Sequence, residues 1–310
     1  MQHFRSLDNV HLNGVWLTIG SFDGIHLGHQ EIIRTLTAEA HDVEASAAVL
    51  TFYPHPVEIL RGRDFPFYLT SPDEKAELLE KLGVDVVITH PFDRELASTS
   101  ANEFMNVLFQ HLEFRHLMVG HDFSLGRNRE GNAQILREIG KDLGYDVTQL
   151  PPLKIDDQIV SSSRIRFLLG AGQVEEAARL LGRNYTIQGK IVIGDQRGQT
   201  IGFPTANFDI WKMRAIPAAG VYVSRVEFDG TIYDAVTNIG VRPTFETSPV
   251  PPRVEAHLLD FQGDLYGQSL KLEFLQRLRG EQRFASIDKL VDQIQRDIKS
   301  ARSVFEVISK

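Results

Sequence analysis

The sequence contains no cysteine among its 310 residues. This absence excludes disulfide bonds, thiolate nucleophiles, iron–sulfur clusters and cysteine-based zinc sites, and it favours a reducing compartment. No segment approaches the roughly 18 apolar residues that a membrane span needs, and the first residues have no apolar stretch typical of a secretory signal. We therefore expect a cytoplasmic protein that does not enter a membrane.

Positive charge is also in short supply. Lys and Arg number 33 against 41 Asp and Glu, which gives a net charge of -8 at pH 7. A protein that coats nucleic acid needs a basic surface for the phosphate backbone, so the composition argues against a nucleic-acid partner. Small phosphate ligands need only local donors and are compatible with it.

Apolar runs alternate with helical patterns through the first half of the chain. Ser71, Pro72 and Glu74 form the clearest helix start, with a cap, a proline at the first position and a capping box. The alternation predicts an α/β domain with a parallel sheet, whose ligands bind beyond the carboxyl ends of the strands. Buried strands are predicted at Val15–Ile19, Ala47–Phe52, Val84–Thr89, His116–Val119 and Tyr145–Leu150.

The sequence pattern changes near residue 184. Short alternating segments separated by Gly, Pro, Asp and Asn follow, and they indicate antiparallel strands. Helical stretches are predicted before this change at Ser163–Leu169 and Val174–Leu181, and an amphipathic helix at Ser286–Ile308 closes the chain. We therefore predict two domains, residues 1–184 and 185–310, each long enough for its own core.

A glycine-rich loop, GSFDGIHLGHQ, follows the first of these predicted strands, with a helix expected from about Gln30. Its glycines allow sharp turns, and the helix start supplies N–H groups and partial positive charge that suit phosphate. His26 and His29 can both donate to phosphate oxygens there. Two alternatives are that they cap a tight turn or form a metal-binding pair, although no third ligand lies in register. Neither G-x-G-x-x-G nor the P-loop pattern occurs in the chain.

The string His26-Leu27-Gly28-His29 resembles the H-x-G-H signature of the nucleotidylyltransferase superfamily, in which two histidines stabilise charge on an α-phosphate. Three further strings narrow the resemblance to the N-terminal module of the bifunctional riboflavin kinase/FAD synthetases. These are TFYPHP (Thr51–Pro56), VGHDFSLG (Val119–Gly126) and SSSRIR (Ser161–Arg166). By itself the last string could be an ordinary helix cap.

The resemblance implies a role for individual residues of this half. His26 and His29 are expected to be catalytic, and the flavin is expected to contact His55, Pro56, Asp122 and Phe123. Three positions depart from the family pattern: Ser21 stands for Asn, Leu125 for Phe, and Ser163 for Thr, the last keeping its hydroxyl. ATP and its phosphates are expected to contact Gly20, Phe22, Asp23, Gly24, His26, Gly28, His29, Ser162, Ser163, Arg164 and Arg166.

The second half contains the string GQTIGFPTANFD at Gly198–Asp209. The Thr205 hydroxyl and the Asn207 amide oxygen are two residues apart, so they face the same side of an extended segment and suit Mg²⁺. An ordinary turn is the alternative, because Gly, Pro, Thr and Asn all favour turns.

This string and those that follow it resemble the riboflavin kinase family, which implies a small antiparallel Greek-key barrel with a C-terminal helix. The following strings are GVYV (Gly220–Val223), NIGVRPTF (Asn238–Phe245), VEAHLLDF (Val254–Phe261) and LYG (Leu265–Gly267). The resemblance implies Glu255 as general base, although a lone glutamate in an alternating strand suggests a solvent-facing position. It also implies ATP contacts at Gly198, Gly202, Pro204, Thr205 and Asn207, with Mg²⁺ on Thr205 and Asn207.

The resemblance covers nearly the whole chain and implies two consecutive ATP-dependent steps. The C-terminal domain would phosphorylate riboflavin to FMN, and the N-terminal domain would adenylylate FMN to FAD with release of pyrophosphate. The implied small molecules are ATP, riboflavin, FMN and Mg²⁺. Two alternatives stay open, an adenylyltransferase whose barrel only delivers flavin and a non-catalytic flavin-binding regulator. The sequence leaves the oligomeric state open.

Overall fold

The computed structural model describes residues 1–8, 10–62, 65–195, 197–240 and 252–308. The chain divides into two compact units, Met1–Ser162 and Ser163–Lys310. Residues 241–245, the second part of the string NIGVRPTF, lie outside the described residues. Within the described part of the chain, every helix is too short or too polar to cross a membrane.

A six-stranded, all-parallel sheet organises the first unit, as the alternating pattern predicts. The strands of this unit, including two short antiparallel hairpins, are β1 (Gln2–Phe4), β2 (Trp16–Ile19), β3 (Ala47–Tyr53), β4 (Val86–Pro91), β5 (His116–Val119), β6 (Ser124–Leu125), β7 (Gly131–Asn132), β8 (Asp146–Gln149), β9 (Lys154–Ile155) and β10 (Gln158–Ile159). The sheet order is β1-β4-β3-β2-β5-β8. The chain adds β3 and β4 on one side of β2 and then returns to add β5 on the other, so β2 and β5 flank the switch point where ligands of such sheets bind.

Helices cover both faces of this sheet. Adjacent residues of β3 enter different apolar clusters, Leu50 one and Val49 another, because successive side chains point to opposite faces. The helices are α1 (Leu27–Asp42), α2 (Pro56–Arg61), α3 (Pro72–Glu80), α4 (Arg94–Ser98), α5 (Ala101–Leu112) and α6 (Ala133–Leu143). The capping box of Ser71 and Glu74 is confirmed. The expected start of α1 near Gln30 is wrong, because the His26 side chain caps the helix and starts it at Leu27.

The second unit is a closed antiparallel barrel with helices before and after it, which confirms the predicted fold class. Its strands are β11 (Tyr185–Val192), β12 (Ala206–Ile210), β13 (Gly220–Phe228), β14 (Thr231–Gly240), β15 (Arg253–Leu258) and β16 (Ser269–Arg279). They close in the order β11-β12-β15-β14-β13-β16. β13, β14 and β15 are neighbours in sequence order and β16 returns beside β13, which is a Greek key.

Within the residues that the structure describes, four helices belong to or enter this unit. They are α7 (Ser162–Gly170), α8 (Val174–Leu181), the single turn α9 (Arg197–Thr200) and α10 (Ile287–Ile308). α10 contributes Ala301 and Phe305 to an apolar cluster of the barrel. Ile287, predicted on the same apolar face, is 66% exposed and is not among the residues of that cluster.

Candidate active sites

Three sequence strings of the first unit follow the carboxyl ends of neighbouring strands. The loop 20–26, here called the phosphate loop, follows β2, the turn 54–55 follows β3, and the segment 120–123 follows β5. β2 pairs with both β3 and β5, so these segments emerge at one edge of the sheet. The fold therefore brings the predicted residues of these three segments to the switch point.

Asp23 and Gly24 fix the course of the phosphate loop. The buried Asp23 carboxylate accepts hydrogen bonds from the backbone N–H groups of Leu69 and Thr70 at 3.0 to 3.1 Å. Gly24 has a φ of +84°, and a Cβ there would lie 2.8 Å from Leu69 Cδ1. Asp23 thus shapes the loop, and its predicted contact with ATP stays a prediction.

His26 and His29 lie together at the start of α1. Their rings stack with centroids 3.6 Å apart, and His26 Nδ1 accepts the His29 backbone N–H at 3.2 Å. Because Nδ1 accepts, the neutral ring carries its proton on Nε2, which makes that atom a donor. Gly28 leaves room for this ring, since a Cβ would lie 3.3 Å from it. His26 is therefore both a helix cap and a donor at a helix N-terminus.

Phe22 packs beside this histidine pair, and Gly20 leaves space for its ring. The described residues include no cluster of three His, Cys, Asp or Glu side chains that could hold a metal ion. Phe22 packs the edge of its ring against His29, with centroids 5.2 Å apart. A Cβ at Gly20 would lie 3.0 Å from the Phe22 ring, so glycine there gives the ring its place.

Lys75 of α3 is a residue near this loop that the sequence analysis did not select. Its Nζ donates to the Ser21 carbonyl at 2.6 Å and to the Thr51 hydroxyl at 3.0 Å. Burial lowers its pKa to about 8, and the charge of Asp23 opposes this shift. The signal was its spacing, because Lys75 lies four residues before the buried Leu79 and thus on the apolar face of the helix.

The string SSSR begins α7. Ser162 Oγ donates to the Asp23 backbone carbonyl at 2.8 Å, which holds this serine beside the phosphate loop. The exposed Ser163 and the half-buried Arg164 and Arg166 follow on the first two turns. Their predicted contacts with phosphates stay predictions.

The turn after β3 presents His55. Its Nδ1 accepts the Val57 N–H at 3.1 Å, so it caps α2, and Pro56 is the first residue of that helix. The His55 backbone N–H donates to the Tyr68 hydroxyl at 2.7 Å, which in turn donates to Glu58 at 2.5 Å. Burial and the Glu58 carboxylate raise the pKa of Tyr68, so the phenol keeps its proton and the turn is held.

Asp122 and Phe123 follow β5. The Asp122 side chain is 81% exposed, whereas Phe123 packs against the core of the first unit. Leu125 in β6, the departure from the family pattern, packs against the same core. The flavin contacts expected of Asp122 and Phe123 stay predictions.

In the barrel, Glu255 lies between two amides. On β15 it pairs with Asn207 of β12 and with Asn238 of β14. Residues directly opposite in antiparallel strands share a face, so the three polar side chains form a row. Val254 and Ala256 are buried, which places Glu255 on the other face, where it is half-buried rather than fully solvated. The sequence analysis did not select Asn238.

The loop before β12 carries the remaining kinase residues. Gly198 allows the Phe203 carbonyl to approach, since a Cβ would lie 2.3 Å from that oxygen, and Gly202 has a φ of +87°. The Pro204 carbonyl accepts a hydrogen bond from His257 Nδ1 at 2.8 Å, which holds the residue before Thr205.

The oxygen donors predicted for Mg²⁺ fit such an ion. Thr205 and Asn207 are two residues apart at the start of β12, both half-buried, while Ala206 between them is buried. A Cβ at Gly194 would lie 2.4 Å from Asn207 Oδ1, so that residue leaves space for the amide. Hydroxyl and amide oxygens are hard ligands of the kind Mg²⁺ prefers.

Both halves match family models. The FAD synthetase model matches residues 8–164 and the riboflavin kinase model matches residues 181–305. A bifunctional riboflavin kinase/FMN adenylyltransferase of Haemophilus influenzae is 38% identical over 98% of this chain and 99% of its own length. The protein of that description from Bacillus subtilis is 38% identical over 95% of this chain and 93% of its own.

A solved structure shares the whole architecture. The crystal structure of a Streptococcus pneumoniae protein described as a macrolide-efflux protein covers 97% of this chain and 98% of its own, with a TM-score of 0.88 and 30% identity. Its likeness supports the two-unit fold. The match of both family models and of full-length relatives shows that this chain belongs to the bifunctional riboflavin kinase/FMN adenylyltransferase family.

Proposed function

We propose that each of the two predicted domains of this bifunctional riboflavin kinase and FMN adenylyltransferase carries one of its two reactions. Residues 185–310 phosphorylate riboflavin to FMN with ATP, and residues 1–184 adenylylate FMN to FAD. The observation that carries the proposal is the presence of two separate polar arrangements, the stacked His26 and His29 in one unit and the Glu255 row in the other. The full-length relatives argue against both alternatives, a single-activity enzyme and a non-catalytic regulator.

Glu255 is the proposed general base of the kinase step. Its carboxylate accepts the proton of the riboflavin 5′-hydroxyl as that oxygen attacks the γ-phosphorus of ATP and ADP leaves. Asn207 and Asn238 flank it and position it through the paired strands. When bound to Thr205 and Asn207, Mg²⁺ would offset phosphate charge.

The adenylyl transfer needs no general base, because its nucleophile is already an anion. An FMN phosphate oxygen attacks the α-phosphorus of ATP and pyrophosphate leaves. His26 and His29 donate to the oxygens on which charge develops, and the start of α1 adds its partial positive charge. His55, Pro56, Asp122 and Phe123 are the proposed flavin contacts, and Ser162, Ser163, Arg164 and Arg166 the proposed phosphate contacts.

A product assay on the whole chain and on a fragment tests this division. With riboflavin, ATP and Mg²⁺ we expect the whole chain to form FMN and FAD by chromatography. A fragment of residues 184–310 should form FMN alone. A longer fragment of residues 163–310 is the control, because α7 packs within the second unit, where the Leu169 carbonyl accepts the Ala218 N–H. A folded fragment that makes no FMN contradicts the division.

The Mg²⁺ assignment predicts a selective change in metal dependence. Thr205→Val removes a ligand oxygen and keeps the shape, so the Mg²⁺ concentration for half-maximal FMN formation should rise about tenfold or more. FAD formation from supplied FMN should keep its parent dependence. Thr231→Val, at the exposed start of β14, is the matched control. An unchanged Mg²⁺ curve for Thr205→Val would remove that residue from the ligand set.

A further inference from the structure

A buried ammonium group lies beneath the phosphate loop, and the steps above do not use it. Lys75 is 4% exposed, and its two hydrogen bonds go to the Ser21 carbonyl and the Thr51 hydroxyl. Ala76 and Leu79, on the same helix as Lys75, belong to a cluster of buried apolar residues. With a pKa of about 8, the side chain still carries its charge at neutral pH.

Keeping that charge costs folding free energy. Burial lowers the pKa of Lys75 from 10.5 to about 8, so between these values the unfolded chain binds more protons than the folded one. Stability therefore rises with pH through this window, and below it the charged form weakens the fold. An apolar side chain of similar length would fill the space without this cost. Packing alone does not call for an ammonium group here.

The Ser21 carbonyl belongs to a peptide group whose N–H is that of Phe22. The cis peptide bond of the described residues is at Tyr53–Pro54, so the Ser21–Phe22 peptide is trans and its oxygen and N–H point in opposite directions. Since Lys75 holds the oxygen from the buried side, the Phe22 N–H points away from it. Within the described residues this N–H donates to no protein acceptor.

A charged donor on a carbonyl strengthens the amide at its other end. The ammonium withdraws electron density from the carbonyl oxygen, which makes the N–H of the same peptide a better donor. Phe22 also has a φ of +46°, a strained value for a side chain of this size, and such strain concentrates at functional sites. The Ser21–Phe22 peptide is thus both fixed and polarised.

We propose that Lys75 is a positioning residue for adenylyl transfer, which aims and polarises the Phe22 N–H toward the phosphates of ATP. This inference rests on the proposed binding of ATP at the phosphate loop. A donor fixed before the reaction stabilises charge that develops in the transition state, so the effect should fall on kcat.

Two variants of the full chain test it, with the kinase activity of the same molecules as internal reference. Lys75→Met removes charge and donor, whereas Lys75→Gln keeps a neutral donor. We expect Lys75→Met to lower kcat for FAD formation at saturating ATP by about 10- to 100-fold. This loss is smaller than the rate loss of about 10²–10³-fold that follows removal of a group that donates directly to the developing charge. Lys75→Gln should fall between it and the parent. FMN formation should be unchanged, and the thermal midpoint of Lys75→Met should stay or rise.

Lys81→Met, just beyond the end of α3, is the matched control and should change neither activity. A folded Lys75→Met that forms FAD within twofold of the parent overturns the inference. So does a loss confined to KM for ATP, or an equal loss of FMN formation. If Lys75→Met fails to fold, Lys75→Gln decides by the same criteria. If the parent forms FAD and the Lys75 variants form it at the parent rate, this inference is wrong and the proposed function is unaffected.

Discussion

Replacing Glu255 with glutamine is expected to lower FMN formation by about 10²–10⁴-fold, because glutamine cannot accept the riboflavin proton. The change keeps size and hydrogen-bonding reach, and the strands that pair through Asn207 and Asn238 are untouched. Rates of FMN formation at saturating ATP and riboflavin measure the effect. Binding of both substrates should change little, since the change alters neither the oxygen atoms proposed to bind Mg²⁺ nor the loop before β12.

Two controls separate lost chemistry from lost structure. FAD formation from supplied FMN should be intact in Glu255→Gln, because we propose that this reaction takes place in the other unit. Glu227→Gln replaces an exposed glutamate on β13 of the same barrel and should leave both activities at the parent level. A Glu255→Gln chain that phosphorylates riboflavin close to the parent rate would remove Glu255 from its role as base.

The second large effect is expected for His26 and His29. Replacing both with alanine should lower FAD formation by more than about 10³-fold, since loss of one donor to a developing charge already costs about 10²–10³-fold. FMN formation, measured in the same reaction, should continue. Because His26 also caps α1, its change to alanine should lower stability by about 1 kcal/mol.

His26→Asn separates these two roles of His26. Asparagine still offers a cap acceptor but has no imidazole, so FAD formation should fall while the thermal midpoint stays near that of the parent. His11 and His111 form another stacked ring pair in the first unit, 5.3 Å apart, and their double alanine variant is the matched control. Near-parent FAD synthesis by a folded His26/His29 variant would leave the pair with capping alone.

Local signals in the sequence were strong enough to predict the first unit. Buried parallel strands are continuous apolar runs, so β2, β3, β5 and β8 were predicted within one residue at each end. β4 begins two residues later than predicted. β1 was missed because Gln2–Phe4 is three residues long and partly polar, which gives no periodic pattern.

The arrangement of the barrel site was beyond sequence pattern. Glu255 meets Asn207 and Asn238 only through strand register, and these residues are 48 and 17 positions away along the chain. The alternation of apolar and polar residues along the strand could show that Glu255 points away from the core, but it could not show which residues of neighbouring strands lie beside it. The resemblance to riboflavin kinases supplied its role. For Lys75 the sequence shows a lysine on the apolar face of a helix. It does not show that the Ser21 carbonyl accepts a hydrogen bond from this lysine.

One short stretch of chain, Phe67–Ser71, supports two loops of the first unit, the phosphate loop and the turn at His55, for which we propose ATP and flavin contacts. Through the N–H groups of Leu69 and Thr70 it holds Asp23 of the phosphate loop. Through the Tyr68 hydroxyl it holds the backbone of His55 in the turn after β3.

Two loops fastened to the same stretch cannot adjust independently. If ATP binds at the phosphate loop and flavin at His55 as proposed, we expect a displacement of Asp23 to reach His55 within two residues of chain, and an adjustment at His55 to act back along the same path. Thermodynamic linkage then makes the coupling mutual: whatever factor ATP applies to the affinity for FMN, FMN applies to the affinity for ATP. Phe67–Ser71 is therefore the connection through which we expect the two proposed substrate sites of this unit to influence each other.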